Sequence, residues 1–179
     1  INADRAEPIA LSVNVSPRLF QTKDQALDRW LELVRSASAT VPIIVEITER
    51  LLTAESTRTE SVLRELAQLG IDISIDDFGT GYSSLAYLHT LPVQVLKIDR
   101  QFTQRLGGES RDSRIVSAIL AIADALELEV VAEGIENAEQ HAKLRELKCQ
   151  RGQGYLMARP APWRVWSANL IDHSQEKSK

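Results

Sequence analysis

The residues with the most chemistry to offer are Asn14, Glu46, Asp76, Asp77, Lys97 and Glu133. Each stands at or near the end of a short β-branched run. If those run ends meet, four carboxylates and one amide oxygen share a small volume. Ionised carboxylates repel at such range unless cations separate them. All the donors are hard oxygens, with no His or Cys among them. That set suits Mg2+ or Mn2+ and argues against zinc or copper. Adjacent Asp76 and Asp77 could hold or bridge two ions about 3.5–4 Å apart, the spacing of two-metal phosphoryl hydrolysis. Lys97 would add a fixed cation able to orient a hydroxide or steady a phosphorane-like transition state. Spacing alone is equally compatible with unconnected acids in loops and helix caps.

The elements that must position these residues alternate. Strand patterns cover Ile9–Val15, Ile43–Thr48, Ile71–Asp76, Val93–Ile98 and Glu129–Glu133, with a weaker sixth near Gly154–Met157. β-Branched residues dominate the first five. Helical patterns lie between them. Lys23 to about Ser36 sets Leu27, Trp30, Leu31 and Val34 on one stripe, with Thr22 and Gln25 at capping-box spacing. Ser61–Leu69 ends at Gly70, a glycine placed for a C-terminal stop. Ser113–Leu126 follows, then a helix opened by Asn137 and Gln140 that runs to about Lys148. A short helix is expected over Ser84–Leu88, and Pro162-Trp163 starts a terminal one.

Strand–helix alternation at this spacing means parallel strands joined by helical crossovers. An open doubly wound sheet concentrates its site at one switch point, whereas a barrel gathers every strand end around one mouth. Polar residues close nearly every run here: Asn14, Glu46 with Thr48, Asp76 with Asp77, Lys97 with Asp99, and Glu133 with Glu136. The pattern favours a barrel, and six strands rather than eight imply one or two more upstream of Ile1.

The 179 residues suffice for one domain with its own core. With 21 Lys and Arg against 25 Asp and Glu, the net charge is −4, which gives no general attraction to a nucleic acid polymer or an anionic membrane. An anionic ligand must therefore be met by local cations. The single cysteine, Cys149, forms no internal disulfide, and a reducing cytoplasm is the simplest home. No apolar run reaches the roughly 18 residues of a membrane span. A start at Ile1, running straight into a strand pattern, suggests a piece of a longer polypeptide with room upstream for an anchor or sensor. Residues 1–171 read as the domain and 172–179 as a polar tail.

Six short motifs make the reading specific. They are Asn14-Val15-Ser16 (NVS), Glu46–Glu49 (EITE), Asp76–Leu85 (DDFGTGYSSL), Lys97–Phe102 (KIDRQF), Val131–Glu136 (VAEGIE) and Gln153–Tyr155 (QGY). Together they resemble the EAL domain, the bacterial domain that hydrolyses cyclic di-GMP, from about Leu11 to about Pro160. The resemblance implies a modified TIM-type (β/α)8 barrel with one antiparallel strand and two divalent ions. It implies metal ligation by Asn14, Glu46, Asp76, Asp77 and Glu133, and contact of Lys97 with the nucleophilic water. Glu136 and Gln153 match positions that support the site and bind nucleotide. Thr48 and Asp99 match residues implicated in placing substrate or metal. Glu49 matches the glutamate that braces the loop after the third strand. The loop after Asp77 matches one that links the metal site to a dimer surface, so a homodimer is expected, with regulatory domains upstream in a longer protein. Arg18 and Arg159 are candidate phosphate contacts.

The tripeptide that names the family, with its own metal-binding glutamate, precedes NVS in other members. Glu7-Pro8-Ile9 does not match it. The chain is therefore expected to lack the first strand, one metal ligand and part of the substrate clamp. Weak or no activity is expected unless those residues are supplied, and two exposed strand edges invite strand exchange. The expected reaction is metal-dependent hydrolysis of cyclic di-GMP to linear pGpG. A non-catalytic cyclic di-GMP receptor is the alternative within the family. Outside it stands a metal-dependent barrel lyase with Lys97 as base.

Overall fold

The β-branched runs form the strands β1 (Leu11–Val15), β2 (Ile43–Thr48), β3 (Asp72–Phe78), β4 (Val95–Ile98), β5 (Glu129–Ala132) and β6 (Arg151–Gly152) of a computed structural model. The structure describes residues 9–21, 25–52, 57–81, 88–107, 110–162 and 165. All six strands lie in one sheet in the order of the chain, and every pairing is parallel. That order never reverses, so there is no doubly wound switch point. Crossovers of one hand in one direction carry all their helices to the same face. The opposite face is left for polar side chains.

The period of two separates these faces. Val45 and Ile47 on β2, Ile73 and Ile75 on β3, and Leu96 and Ile98 on β4 are all fully buried against the helix layer. Their neighbours Glu46, Ser74 and Lys97 alternate with them on the other face, and they too are buried. Among the described residues, the helix layer consists of α1 (Pro17–Gln21), α2 (Ala26–Ser38), α3 (Glu49–Leu52), α4 (Thr57–Gln68), α5 (Arg100–Gln104), α6 (Arg111–Ala125) and α7 (Ala138–Glu146). It buries Leu27, Leu31 and Val34 of α2, Val62, Leu63 and Leu66 of α4, and Val116, Ile119 and Ala123 of α6. A side chain of this size contributes about 1.5–3 kcal/mol when fully buried, so the core lies between sheet and helices.

Helix ends follow local chemistry. Gly70 adopts φ +72° after α4, a left-handed stop that glycine takes without a Cβ clash. Ser110 caps α6 by accepting from the Ser113 amide. Asn137 and Gln140 form the reciprocal capping box of α7. The expected box before α2 differs. Gln25 is the N-cap and makes no side-chain cap, while Thr22 lies outside the described residues. α4 starts four residues before the expected Ser61. The three short helices α1, α3 and α5 follow directly on β1, β2 and β4. Too brief for a periodic pattern, they were invisible to it.

The sixth strand requires a correction. It is Arg151–Gly152, and Gly154–Met157 is a turn. Gly154 packs so closely on the Ile135 backbone that a Cβ there would collide with it, and the Leu156 amide donates back to Ile135 O. The chain folds over Ile135 instead of extending. The expected helix over Ser84–Leu88 lies outside the described residues except for Leu88. So do the terminal helix beyond Pro162, apart from Val165, and the 172–179 tail. Among the described residues, no helix is long and apolar enough to cross a membrane.

Candidate active site

The polar face of the sheet brings three acids from three strand ends onto one lysine. Lys97 Nζ on β4 lies 2.9 Å from Glu46 Oε2 on β2 and 3.4 Å from Asp76 Oδ1 on β3. It lies 2.6 Å from Glu133 Oε1, one residue beyond β5. The Lys97 side chain is 8% exposed, and no acid of the three exceeds 18%. Register explains the meeting. Glu46 pairs with Ser74, Thr48 with Asp76, and Lys97 with Val131, so the site residues occupy adjacent rows.

Burial works against the Lys97 charge, but hydrogen bonds from Lys97 to Glu133 and Glu46 outweigh it and hold the ammonium above the ordinary lysine range. Burial raises the Glu133 carboxyl, and the opposing pull of Lys97 does not cancel that rise.

Asp77 reaches the same end of the sheet by a different device. Strict alternation would send Asp76 and Asp77 to opposite faces. Between Ile75 and Phe78 the register with β4 shifts, and Asp77 takes φ +56°. Asp76 Oδ1 accepts from the Asp77 amide at 3.0 Å, and the Asp77 side chain is hydrogen-bonded to Asp99. Burial, that shared hydrogen bond and the charges of Asp76, Asp99 and Glu133 push the Asp77 carboxyl up to about 6. Asp99 also caps α5, accepting from the Gln101 amide at 2.7 Å.

Glu49, only 2% exposed, holds the loop that follows. Its Oε2 accepts from Gly79 N at 3.1 Å and Gly81 N at 3.3 Å. Gly79 has φ +93°, and a Cβ there would stand 3.0 Å from the Phe102 ring, so glycine is required. Asn14 is exposed on β1 and in register with Glu46. Arg18 is exposed on α1, beyond β1.

Beside Glu133 opens a cavity of about 540 Å3. Glu133, Glu136 and Gln153 line it together with Arg100, Tyr155 and Arg159. Gln153 Nε2 donates to Glu133 Oε1 at 2.6 Å, and Arg159 lies over the Tyr155 ring at 4.4 Å. Arg100 was not singled out from sequence, although it directly follows Asp99 in the KIDR run. Nor was the Tyr155–Arg159 stack, because a turn residue gives no periodic sign of where its ring will lie. Cys149 is half-buried away from these acids, donates its thiol to Arg151 O, and is pushed up by burial.

The chain matches the family model of the EAL domain over residues 2–160. It is 50% identical over 118 residues to the cyclic di-GMP phosphodiesterase NbdA of Pseudomonas aeruginosa, covering 66% of this chain and 15% of NbdA. MucR of the same organism, a bifunctional diguanylate cyclase/cyclic di-GMP phosphodiesterase, is 45% identical over 130 residues, covering 73% of this chain and 19% of MucR. The chain therefore spans only a small part of these curated relatives. Among solved structures, the EAL domain of Mycobacterium smegmatis DcpA superposes with a TM-score of 0.80 at 36% identity, covering 92% of this chain and 74% of that one. The c-di-GMP complex of the PaMucR phosphodiesterase gives 0.77 at 41% identity, covering 87% and 69%. EAL domains adopt a TIM-like barrel, and the parallel strands described here form part of such a sheet without closing it. A match across nearly the whole chain, joined to acids from successive parallel strands meeting at one mouth, establishes that this chain belongs to the EAL domain family.

Proposed function

We propose metal-dependent hydrolysis of cyclic di-GMP, one phosphodiester opened to give linear pGpG, as the activity of the domain to which this chain belongs. The observation that carries the reading is the convergence of Glu46, Asp76 and Glu133 on Lys97, at 2.9, 3.4 and 2.6 Å, beside a cavity that presents Arg100 and Arg159. Relatives named as cyclic di-GMP phosphodiesterases support the substrate class.

By type, the donors suit a hard divalent cation: carboxylates and one amide oxygen, without His or Cys. Asn14, Glu46, Asp76, Asp77 and Glu133 would hold two Mg2+ or Mn2+ ions. Bound there, the ions supply an acidified water and offset charge on the phosphoryl oxygens. The protein's own groups do the rest. Lys97 keeps a permanent positive charge at the centre and adds to that offset. Gln153 orients Glu133 by donating to it. Glu49 fixes the loop that follows Asp77. Thr48, Asp99, Glu136, Gln153 and Arg18 are assigned to substrate placement. The guanidinium groups of Arg100 and Arg159 provide the local cations that a chain of net charge −4 needs for a dianionic ligand. A homodimer formed through the segment after Asp77, and regulatory domains upstream, belong to the same proposal.

One observation favours a receptor. Among the described residues, no three acidic, His or Cys groups stand in an arrangement that could hold an ion, and the carboxylates are drawn onto an ammonium instead. Incubation of the full-length parent protein with cyclic di-GMP and Mg2+ or Mn2+, followed by chromatography for pGpG, separates the readings. Product that appears only with the divalent ion is expected. Calorimetric binding without product would assign the receptor, and neither binding nor product would refute both.

A further inference from the structure

We propose that Gln140 is a positioning residue for the nucleotide cavity, acting through Glu136. The proposal rests on the cyclic di-GMP reading for its ligand but not for its geometry. Gln140 is 5% exposed, although it lies in the first turn of a helix. Its Oε1 accepts from two consecutive amides, Glu136 N at 2.7 Å and Asn137 N at 3.2 Å. Its own amide donates to Asn137 Oδ1 at 2.9 Å. An ordinary capping box ends there. Here the bond to Glu136 N extends the grip one residue back, onto a residue that lines the cavity.

A second helix closes the circuit. Gln140 Nε2 donates to Gln104 O at 3.5 Å, at the end of α5. The Gln104 side chain donates in turn to Glu136 Oε1 at 3.1 Å. Glu136 is thus held at its backbone by Gln140 and at its carboxylate by Gln104, and those two residues are bonded to each other. At the other end of α5, Arg100 lines the same cavity. A Cβ on Gly134 would stand 2.5 Å from Arg100 Cβ, so α5 and the 133–137 turn abut there as well. Two walls of the cavity, one carrying Arg100 and the other Glu133 and Glu136, keep their spacing through this circuit. Gln140 is the buried centre of this network, and its exposed partners Glu136, Asn137 and Gln104 are fixed through it.

Three variants test the assignment. Gln140→Met keeps the volume and removes both acceptor bonds. Gln140→Glu keeps them, because a carboxylate serves equally well in a capping box. Leu144→Ala, in the core on the same helix, is a stability control. Expected for Gln140→Met is faster hydrogen exchange at the Glu136 and Asn137 amides and a five- to tenfold weaker cyclic di-GMP affinity, about the effect of one net hydrogen bond. Gln140→Glu, which keeps the acceptor bonds but loses the Nε2 donor to Gln104 O, is expected to restore the exchange protection fully and the affinity in part. Leu144→Ala is expected to lower the melting temperature without weakening affinity. Gln104→Ala removes the exposed tether alone and should weaken affinity about threefold at unchanged melting temperature. Unchanged exchange at Glu136 in Gln140→Met overturns the proposal. So does an affinity loss that Leu144→Ala reproduces. A parent protein that binds no cyclic di-GMP refutes the functional reading, and the exchange measurement then decides the positioning role by itself.

Discussion

Replacing Lys97 with methionine removes the positive charge that, among the described residues, opposes three acids with little access to water. The ammonium contacts carboxylate oxygens at 2.6, 2.9 and 3.4 Å, and its side chain is 8% exposed. A pair at 4 Å and an effective dielectric of 20 attracts by about 4 kcal/mol before desolvation is counted. Stranding the partner of a buried charge costs about 3–5 kcal/mol. Methionine matches the stem of lysine, so packing changes little. Lys97→Met is therefore expected to lower unfolding free energy by about 3–5 kcal/mol at pH 8 in chelator, measured by urea titration with circular dichroism. The deficit has a definite pH sign. Without the lysine, the acid cluster binds a proton more tightly folded than unfolded. Its destabilisation is full well above the ordinary carboxylate range and fades as pH falls through the raised folded value. At pH 5 the gap to the parent should be clearly smaller than at pH 8. Mn2+ should stabilise the variant more than the parent, because an ion then supplies the missing positive charge. A variant within about 0.5 kcal/mol of the parent at pH 8, or a deficit independent of pH, would refute the view that Lys97 neutralises this cluster.

Gly154→Ala should destabilise by more than about 2 kcal/mol in the same titration, because its Cβ meets the Ile135 backbone, which cannot rotate away. Gly70→Ala faces open space and should cost only the left-handed penalty of about 1–2 kcal/mol, so equal losses would contradict the packing account. Glu49→Leu strands the Gly79 and Gly81 amides and should raise hydrogen exchange at both while leaving the Asn137 cap protected. Burial holds the Cys149 thiol above its ordinary value, so iodoacetamide should label it more slowly than free cysteine at pH 8. The rate should still be climbing where free cysteine has levelled off.

The helices with full turns of apolar spacing, and the strands with continuous β-branched runs, were legible because their periods recur along the chain. α2, α6 and strand β2 are the clearest cases. The capping box of Asn137 and Gln140 was equally legible, being local chemistry at a fixed offset. Strand β6 was misplaced because two residues carry no period, and the turn after it is set by a contact with Ile135, nineteen positions away from Gly154 by sequence number. The reach of Gln140 to Glu136 and Gln104 depends on where α5 docks, which no spacing records.

The alternation of strands and helices, the hard-oxygen character of the acids and, through six motifs, the family can all be read along the chain. Those are properties of residue type and local order. Folding alone brought Glu46, Asp76 and Glu133 onto Lys97, since that depends on parallel register between strands dozens of residues apart. It also decided that Asp77 turns toward Asp99, through a register shift and a left-handed backbone that alternation does not predict. A buried charge cluster exists only when chain folding removes water from all its members at once. No single residue, and no pair of neighbours, carries that information.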